Sequence, residues 1–213
     1  MAQSDNNSNN NKRPRESNEK DEHDKEHENK DDWKKQPPYA PEDPKKPKKA
    51  LFKGNCHCHD VTFEIYVDKP KGAHFCHCDT CQKLHGSATH WSVVIPKNEV
   101  LFTCSPDKLS FYRTEDQKTE HIPPCKLSCA RCHSPIADEG RNMMLMYPST
   151  FNFEKKEDRS PFLPDKHIFY AQRAIDVEDG TAKWEGMPDD SKQLYEEHEH
   201  GQKGVAGSGS KKD

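Results

Sequence analysis

Along the middle of the chain the apolar positions alternate rather than recur every third or fourth residue. Val61, Phe63, Ile65 and Val67 are interleaved with Thr62, Glu64 and Tyr66, the period-two pattern of a strand with one buried face. Further strands are expected over Ala88–Ile95, Val100–Thr103, Leu109–Arg113, Asn142–Tyr147 and His167–Gln172. Breaker clusters such as Pro96-Lys97-Asn98 and Ser105-Pro106-Asp107 separate them. Asp79–His85, directly after a cysteine pair, is the one stretch that reads as a short helical turn. The pattern predicts a mainly β fold, a single domain of antiparallel strands with long loops over residues 51–188.

The flanks carry no such pattern. Residues 1–50 run from an Asn/Ser stretch through mixed Asp, Glu, His and Lys into a Pro/Lys segment. They have few apolar groups to offset the entropy of ordering. They are expected to be a disordered charged segment, with Trp33 and Tyr39 solvated. Residues 189–213 pass through an acidic stretch containing His198 and His200 into GVAGSGSKKD and are expected to be a disordered tail. Either tail could serve protein partners.

Composition narrows the function classes. Of the 213 residues 30% are hydrophobic and 33% charged, and the net charge is −4. Such a balance favours a modest core and gives no overall basicity for nucleic acid. No run of about 18 apolar residues is present, so no membrane span is expected, and the polar N-terminus does not read as a secretory signal. A cytoplasmic location follows, with nuclear import open through the PKKPKK run of Pro44–Lys49, which reads equally as an extended linker.

In a reducing compartment, close-spaced cysteines read as metal ligands before disulfides. Seven of the nine cysteines form three groups: Cys56-His57-Cys58, Cys76-His77-Cys78 with Cys81, and Cys129-Ala130-Arg131-Cys132. A C-x-x-C turn presents two thiolates to one ion, and C-x-C does so from an extended strand, where i and i+2 share a face. Cys56, Cys58, Cys129 and Cys132 together supply a closed four-thiolate zinc site. Cys76, Cys78 and Cys81 supply three ligands, which leaves either a vacancy for substrate or a fourth partner among His77, His85, His90 and Cys104. Cys104, after Val100-Leu101-Phe102, reads as a small buried residue. Cys125 reads as a spare thiol beside the metal.

Three motifs together carry a family likeness. The G-x-C-x-C of Gly54–Cys58, the C-H-C-x-x-C-x-K-x-x-G-S of Cys76–Ser87 and the later C-x-x-C resemble the glutathione-dependent formaldehyde-activating enzymes, a family that includes the zinc domain of centromere protein V. The resemblance extends from Leu51 to Pro188, through His167–Tyr170 and Trp184-Glu185-Gly186. It implies a β-tent fold with two zinc ions: a structural one at Cys56, Cys58, Cys129 and Cys132, and a substrate-side one at Cys76, Cys78 and Cys81. It also implies carbon–sulfur lyase chemistry on an adduct of glutathione and formaldehyde, S-hydroxymethylglutathione, with acid–base help from His77, His85 or His90. The contrasting expectation is a non-catalytic zinc module with partner-binding tails. His59 and His133 stand where the family commonly has glycine, at positions that would take a positive φ.

Overall fold

The computed structural model describes residues 31–194. The expectations for the Asn/Ser stretch, for His198 and His200 and for GVAGSGSKKD lie outside the described residues.

In chain order the strands are β1 (Phe52–Asn55), β2 (Thr62–Ile65), β3 (Gly72–Cys76), β4 (His90–Pro96), β5 (Val100–Phe102) and β6 (Leu109–Tyr112), then β7 (Cys125–Cys129), β8 (Pro135–Glu139), β9 (Met143–Met146), β10 (Lys166–Ile168), β11 (Ala182–Trp184) and β12 (Gln193–Leu194). Among the described residues one α-helix, α1 (Asp79–His85), follows β3. Strands β1, β2 and β5 form a three-stranded antiparallel sheet, and the other nine form a second sheet in the order β12-β11-β10-β3-β4-β9-β8-β7-β6. The expected mainly β, mainly antiparallel architecture is what the chain adopts. The exception is β10, which runs parallel to both β3 and β11. No helix among the described residues is long and apolar enough to cross a membrane.

Alternation decides which face of each strand is buried. In β2, Phe63 and Ile65 are buried while Thr62 and Glu64 are partly exposed. In the large sheet the cross-strand pairs Val93–Met146 and Ile95–Met144 are shut away from solvent. Burying side chains of this size is worth about 1.5–3 kcal/mol each, so these pairs pin the register of β4 on β9. The other face of the same strands carries Ser92, Val94, Leu145 and Asp138, and there the polar site is built.

Gly54 is dictated by contact rather than by conformation. A Cβ at this position would lie 2.1 Å from Cζ of Phe63 and 2.6 Å from the carbonyl oxygen of Thr150. Only glycine lets β1 close on both, and that closure sets the position of Cys56 two residues on.

The expectation that Trp33 and Tyr39 are solvated is overturned. Tyr39 is buried, and its hydroxyl donates to Oε2 of Glu139 at 2.5 Å. Trp33 stacks on His121 with ring centroids 3.8 Å apart. The carbonyl of Pro38 accepts from the backbone N–H of Phe102 at 2.7 Å, which covers the free edge of β5. The reason lies at Glu139, a carboxylate only 1% exposed that needs donors: Tyr39, His121 at 2.8 Å and Lys97 supply them. Burial alone would raise its pKa, but the hydrogen bonds from His121, Lys97 and Tyr39 outweigh burial and hold it below the ordinary carboxylate value. The packed unit therefore begins before Leu51. It also runs past Pro188, because Gln193 and Leu194 pair with Trp184 and Lys183.

Tyr39→Phe is expected to cost about 2 kcal/mol in urea unfolding, the worth of a hydrogen bond to a buried charge. Because the folded-state pKa of Glu139 is lowered, its contribution is complete above the unfolded value of about 4.3 and disappears as pH falls through the lower folded value. The stability difference between the parent and Glu139→Gln should therefore be constant near neutrality and shrink below about pH 4; a difference that grows on acidification contradicts this account.

Candidate functional site

Two of the three cysteine groups meet. Cys56, Cys58, Cys129 and Cys132 bring their sulfurs within 4.8 Å of one another, with Cys56–Cys58 at 3.5 Å and Cys58–Cys129 at 3.6 Å. A tetrahedral site with metal–sulfur bonds of about 2.3 Å sets sulfurs about 3.8 Å apart, so this set has the dimensions to hold a zinc ion. Backbone N–H groups already point at the sulfurs: Val61 at Cys56 (3.3 Å), and Arg131 and Cys132 at Cys129 (both 3.4 Å). Such donors favour the ionised thiolate. At Cys132 burial opposes ionisation, but hydrogen bonds from Ser134 help carry the thiol down to about 5.

The two turns that present these pairs mirror each other. After the first, His59 donates its N–H to the carbonyl of Cys56 at 3.1 Å, and after the second His133 donates to that of Cys129 at 3.0 Å. Both histidines take the left-handed conformation, with φ of 66° and 58°. The positions do require positive φ, and histidine adopts it in place of glycine.

The second group is Cys76, Cys78 and Cys81, whose sulfurs also lie within 4.8 Å of one another. Among the described residues no further Cys, His, Asp or Glu joins this group at that spacing. Cys76 ends β3, Cys78 caps α1 by accepting the N–H of Cys81 at 3.4 Å, and Cys81 lies in the first turn. Gly86 ends the helix in the left-handed conformation, with φ of 58° and its N–H on the carbonyl of Gln82, a common helix terminator. Hydrogen bonds from Cys76 and Cys81 pull Cys78 far below the ordinary thiol value, while those to Cys78 and Cys81 push Cys76 far above it.

The sheet extends this site well beyond its cysteines. Residues directly opposite in an antiparallel pair share a face, and Cys76 stands opposite His90, with His74 opposite Ser92. The same face continues through Leu145 and Asp138 to Lys126 on β7. Lys126 Nζ donates to both oxygens of Asp138 at 2.8 and 2.9 Å, and Tyr147 OH donates to Oδ1 at 2.5 Å. Burial disfavours the Lys126 ammonium, yet Asp138, with smaller help from Cys81 and Cys78, holds its pKa above the ordinary lysine value. Lys126 is therefore a fixed cation beside the thiols. From the other side α1 brings His85, which stacks on His90 with ring centroids 3.8 Å apart. Burial lowers the pKa of both imidazoles, that of His90 to about 3.

Of the three histidines proposed for acid–base work, His77 is turned away. It alternates with Cys76 and Cys78, and its Nε2 meets Nδ1 of His167 at 2.7 Å; Nε2 of His167 in turn meets Asp179 at 3.0 Å. Its backbone N–H donates to the carbonyl of Ile168 at 3.0 Å, and Gln82 Nε2 donates to its carbonyl at 2.6 Å and to that of Gln172 at 2.7 Å. His77 anchors the thiol loop to β10. Phe169, packed against the thiols, has a φ of 53°, a conformation a bulky residue rarely takes.

Cys125 is not a spare thiol beside a metal at the cysteine knuckle. It begins β7, four residues before Cys129 and opposite Glu139, and burial with the Glu139 charge pushes it up to about 12. His121, Cys125 and Glu139 also lie within 4.8 Å of one another, but Lys97 already pairs with that carboxylate. Cys104 is half-buried against the core. Lys126, Asp138 and Tyr147 were not singled out from sequence. Lys126 and Asp138 are single polar residues on short strands and Tyr147 follows β9, so their meeting is legible only once the register is known.

A β fold that gathers two thiol clusters able to hold metal, one with four sulfurs and one with three, defines a protein with two candidate metal-thiolate sites. Residues 51–172, more than half of the chain, match the profile of the glutathione-dependent formaldehyde-activating enzyme family, and the chain belongs to that family. No curated protein matches it. A crystal structure of a Rhodobacter sphaeroides protein is similar at 15% identity and a TM-score of 0.38, over 50% of this chain and 93% of that one.

The left-handed turns can be tested directly. His133→Gly should stay within about 1 kcal/mol of the parent in urea unfolding, since glycine accepts this φ at little steric cost. His133→Val should lose at least about 1–2 kcal/mol, because a β-branched residue is strained there.

Proposed function

We propose that the chain is a carbon–sulfur lyase that binds two zinc ions and acts on an adduct of glutathione, or of a similar small thiol, with an aldehyde such as formaldehyde. Cys56, Cys58, Cys129 and Cys132 hold the structural ion, and Cys76, Cys78 and Cys81 the substrate-side ion. One observation carries this reading: among the described residues the first set offers four thiols, while the second offers three on a sheet face that also carries Lys126, Asp138 and the stacked His85 and His90. Three protein ligands leave a position for a substrate sulfur, and zinc bound there would stabilise that sulfur as a thiolate.

The chain's own residues would do the rest. Cys78, at the entry to α1, has its thiol pulled below the ordinary value by hydrogen bonds from Cys76 and Cys81. Lys126, fixed by Asp138, offsets negative charge as a substrate thiolate joins three cysteine thiolates. Tyr147 donates to Oδ1 of Asp138, an oxygen it shares with Lys126, and helps to hold that carboxylate in place. His77, through His167 and Asp179, holds the C-x-C segment against β10.

Elemental analysis of the purified chain should give two zinc ions per molecule. Cys78→Ser should leave a folded protein with one, whereas Cys129→Ser should unfold the domain, because structural zinc contributes directly to folding. Glutathione should displace or shift the metal at the three-cysteine site in a competition titration. Equal unfolding by the two variants would make the second site structural as well. Zinc unresponsive to glutathione, with no adduct cleaved or formed faster than in buffer, would instead make the protein a non-catalytic zinc module.

A further inference from the structure

The thiol side of the sheet holds three buried imidazole nitrogens with no protein partner: Nδ1 and Nε2 of His85, and Nε2 of His90. The two rings lie parallel, 3.8 Å apart and within 6° of coplanar. Tyr147 closes on them edge-on, at 4.1 Å from His90 and 5.3 Å from His85. The neighbouring polar groups are engaged with one another. The hydroxyl of Tyr147 is given to Asp138, both oxygens of Asp138 are taken by Lys126, and His74 pairs with Ser92 at 2.9 Å. Both ring nitrogens of His85 and Nε2 of His90 therefore have nothing on the protein to bond, although burial of an unbonded polar nitrogen is unfavourable. Both lie within electrostatic reach of Cys78, and His90 stands directly across from Cys76.

We propose that the stacked His85–His90 pair is the subsite for the hydroxyl group of a 1-hydroxyalkyl thiol adduct whose sulfur sits at Cys76, Cys78 and Cys81. The assignment rests on the lyase reading above and specifies which part of the substrate these residues touch. A neutral imidazole offers one N–H donor and one acceptor lone pair. Two of them side by side match a hydroxyl, which accepts one hydrogen bond and donates another. An ethyl group of the same shape leaves both rings unbonded. A site built to bond a hydroxyl rejects the analogue lacking it far more strongly than it senses size. Hence the pair distinguishes an aldehyde adduct of the thiol from an ordinary thioether. His77, whose Nε2 is committed to His167, takes no part.

The test uses the full chain with its metal bound and two ligands: S-hydroxymethylglutathione, made by mixing glutathione with formaldehyde, and S-ethylglutathione, which replaces the hydroxyl by methyl. Calorimetry should show the hydroxymethyl adduct binding at least about 10-fold more tightly. His85→Phe and His90→Phe, which keep a stacked ring without nitrogens, should each reduce that preference while glutathione's own affinity and the metal content stay as in the parent. In the unsubstituted protein labelled with nitrogen-15 histidine, the ring nitrogens of His85 and His90 should shift with the hydroxymethyl adduct and stay in place with the ethyl one. Equal affinities with silent ring signals overturn the subsite and leave the lyase reading intact. If glutathione and both adducts fail to bind, both are overturned.

Discussion

The register of β3 on β4 is the constraint on which the candidate site depends. Cys76 stands opposite His90, and from that pairing the alternation of every following strand is determined. Val93 and Ile95 must face the apolar side against Met146 and Met144, so Ser92 and His90 must face the thiols. One residue of slip would carry the hydrophobic set into the polar pit and the site residues into the core. The hydrophobic pairs thus fix the position of the chemistry without touching it, and they do so across five strands, as far as Lys126.

The two thiol clusters are held by different means. The four-sulfur set is made by two turns of the same form, each closed by a histidine in the left-handed conformation with its N–H on the carbonyl of the first cysteine. Its components are local, and each turn is complete within five residues. The three-sulfur set depends on distant partners: β10 beside β3, His167 behind His77, and Gln82 bridging the carbonyls of His77 and Gln172. A third polar centre, around Glu139, ties the segment of Trp33 and Tyr39 onto the sheet.

Much of this was legible in the sequence because the cysteines keep their spacing, because β2 alternates cleanly, and because β4, β5, β6 and β9 are short apolar-rich runs set between polar or breaking segments. The short helix over Asp79–His85 was legible too, since a cysteine cap and a following glycine bound it. Strands β3, β7 and β8 were not. Each buries residues that read as polar or breaking: His74 in β3, two cysteines in β7, and Glu139 in a strand that opens on proline. The burial of Tyr39 was hidden for the same reason. Its partner Glu139 looks like a surface residue until its three donors are counted, and the surrounding Lys, Asp and Pro suggest a chain with nothing to pack. The role of His77 was misplaced because spacing near a ligand does not tell which way a side chain points.

The contact between His77 and β10 has a temporal side. His77 and His167 are 90 positions apart, as are Gln82 and Gln172. As the chain leaves the ribosome, the three cysteines appear long before the residues that brace them, and domains form from the N-terminal side as they emerge. The three-thiol set therefore gains its brace only once β10 has been made and has closed against β3. Before that the loop lacks the carbonyls of Ile168 and Gln172, which accept from His77 and Gln82 in the folded chain.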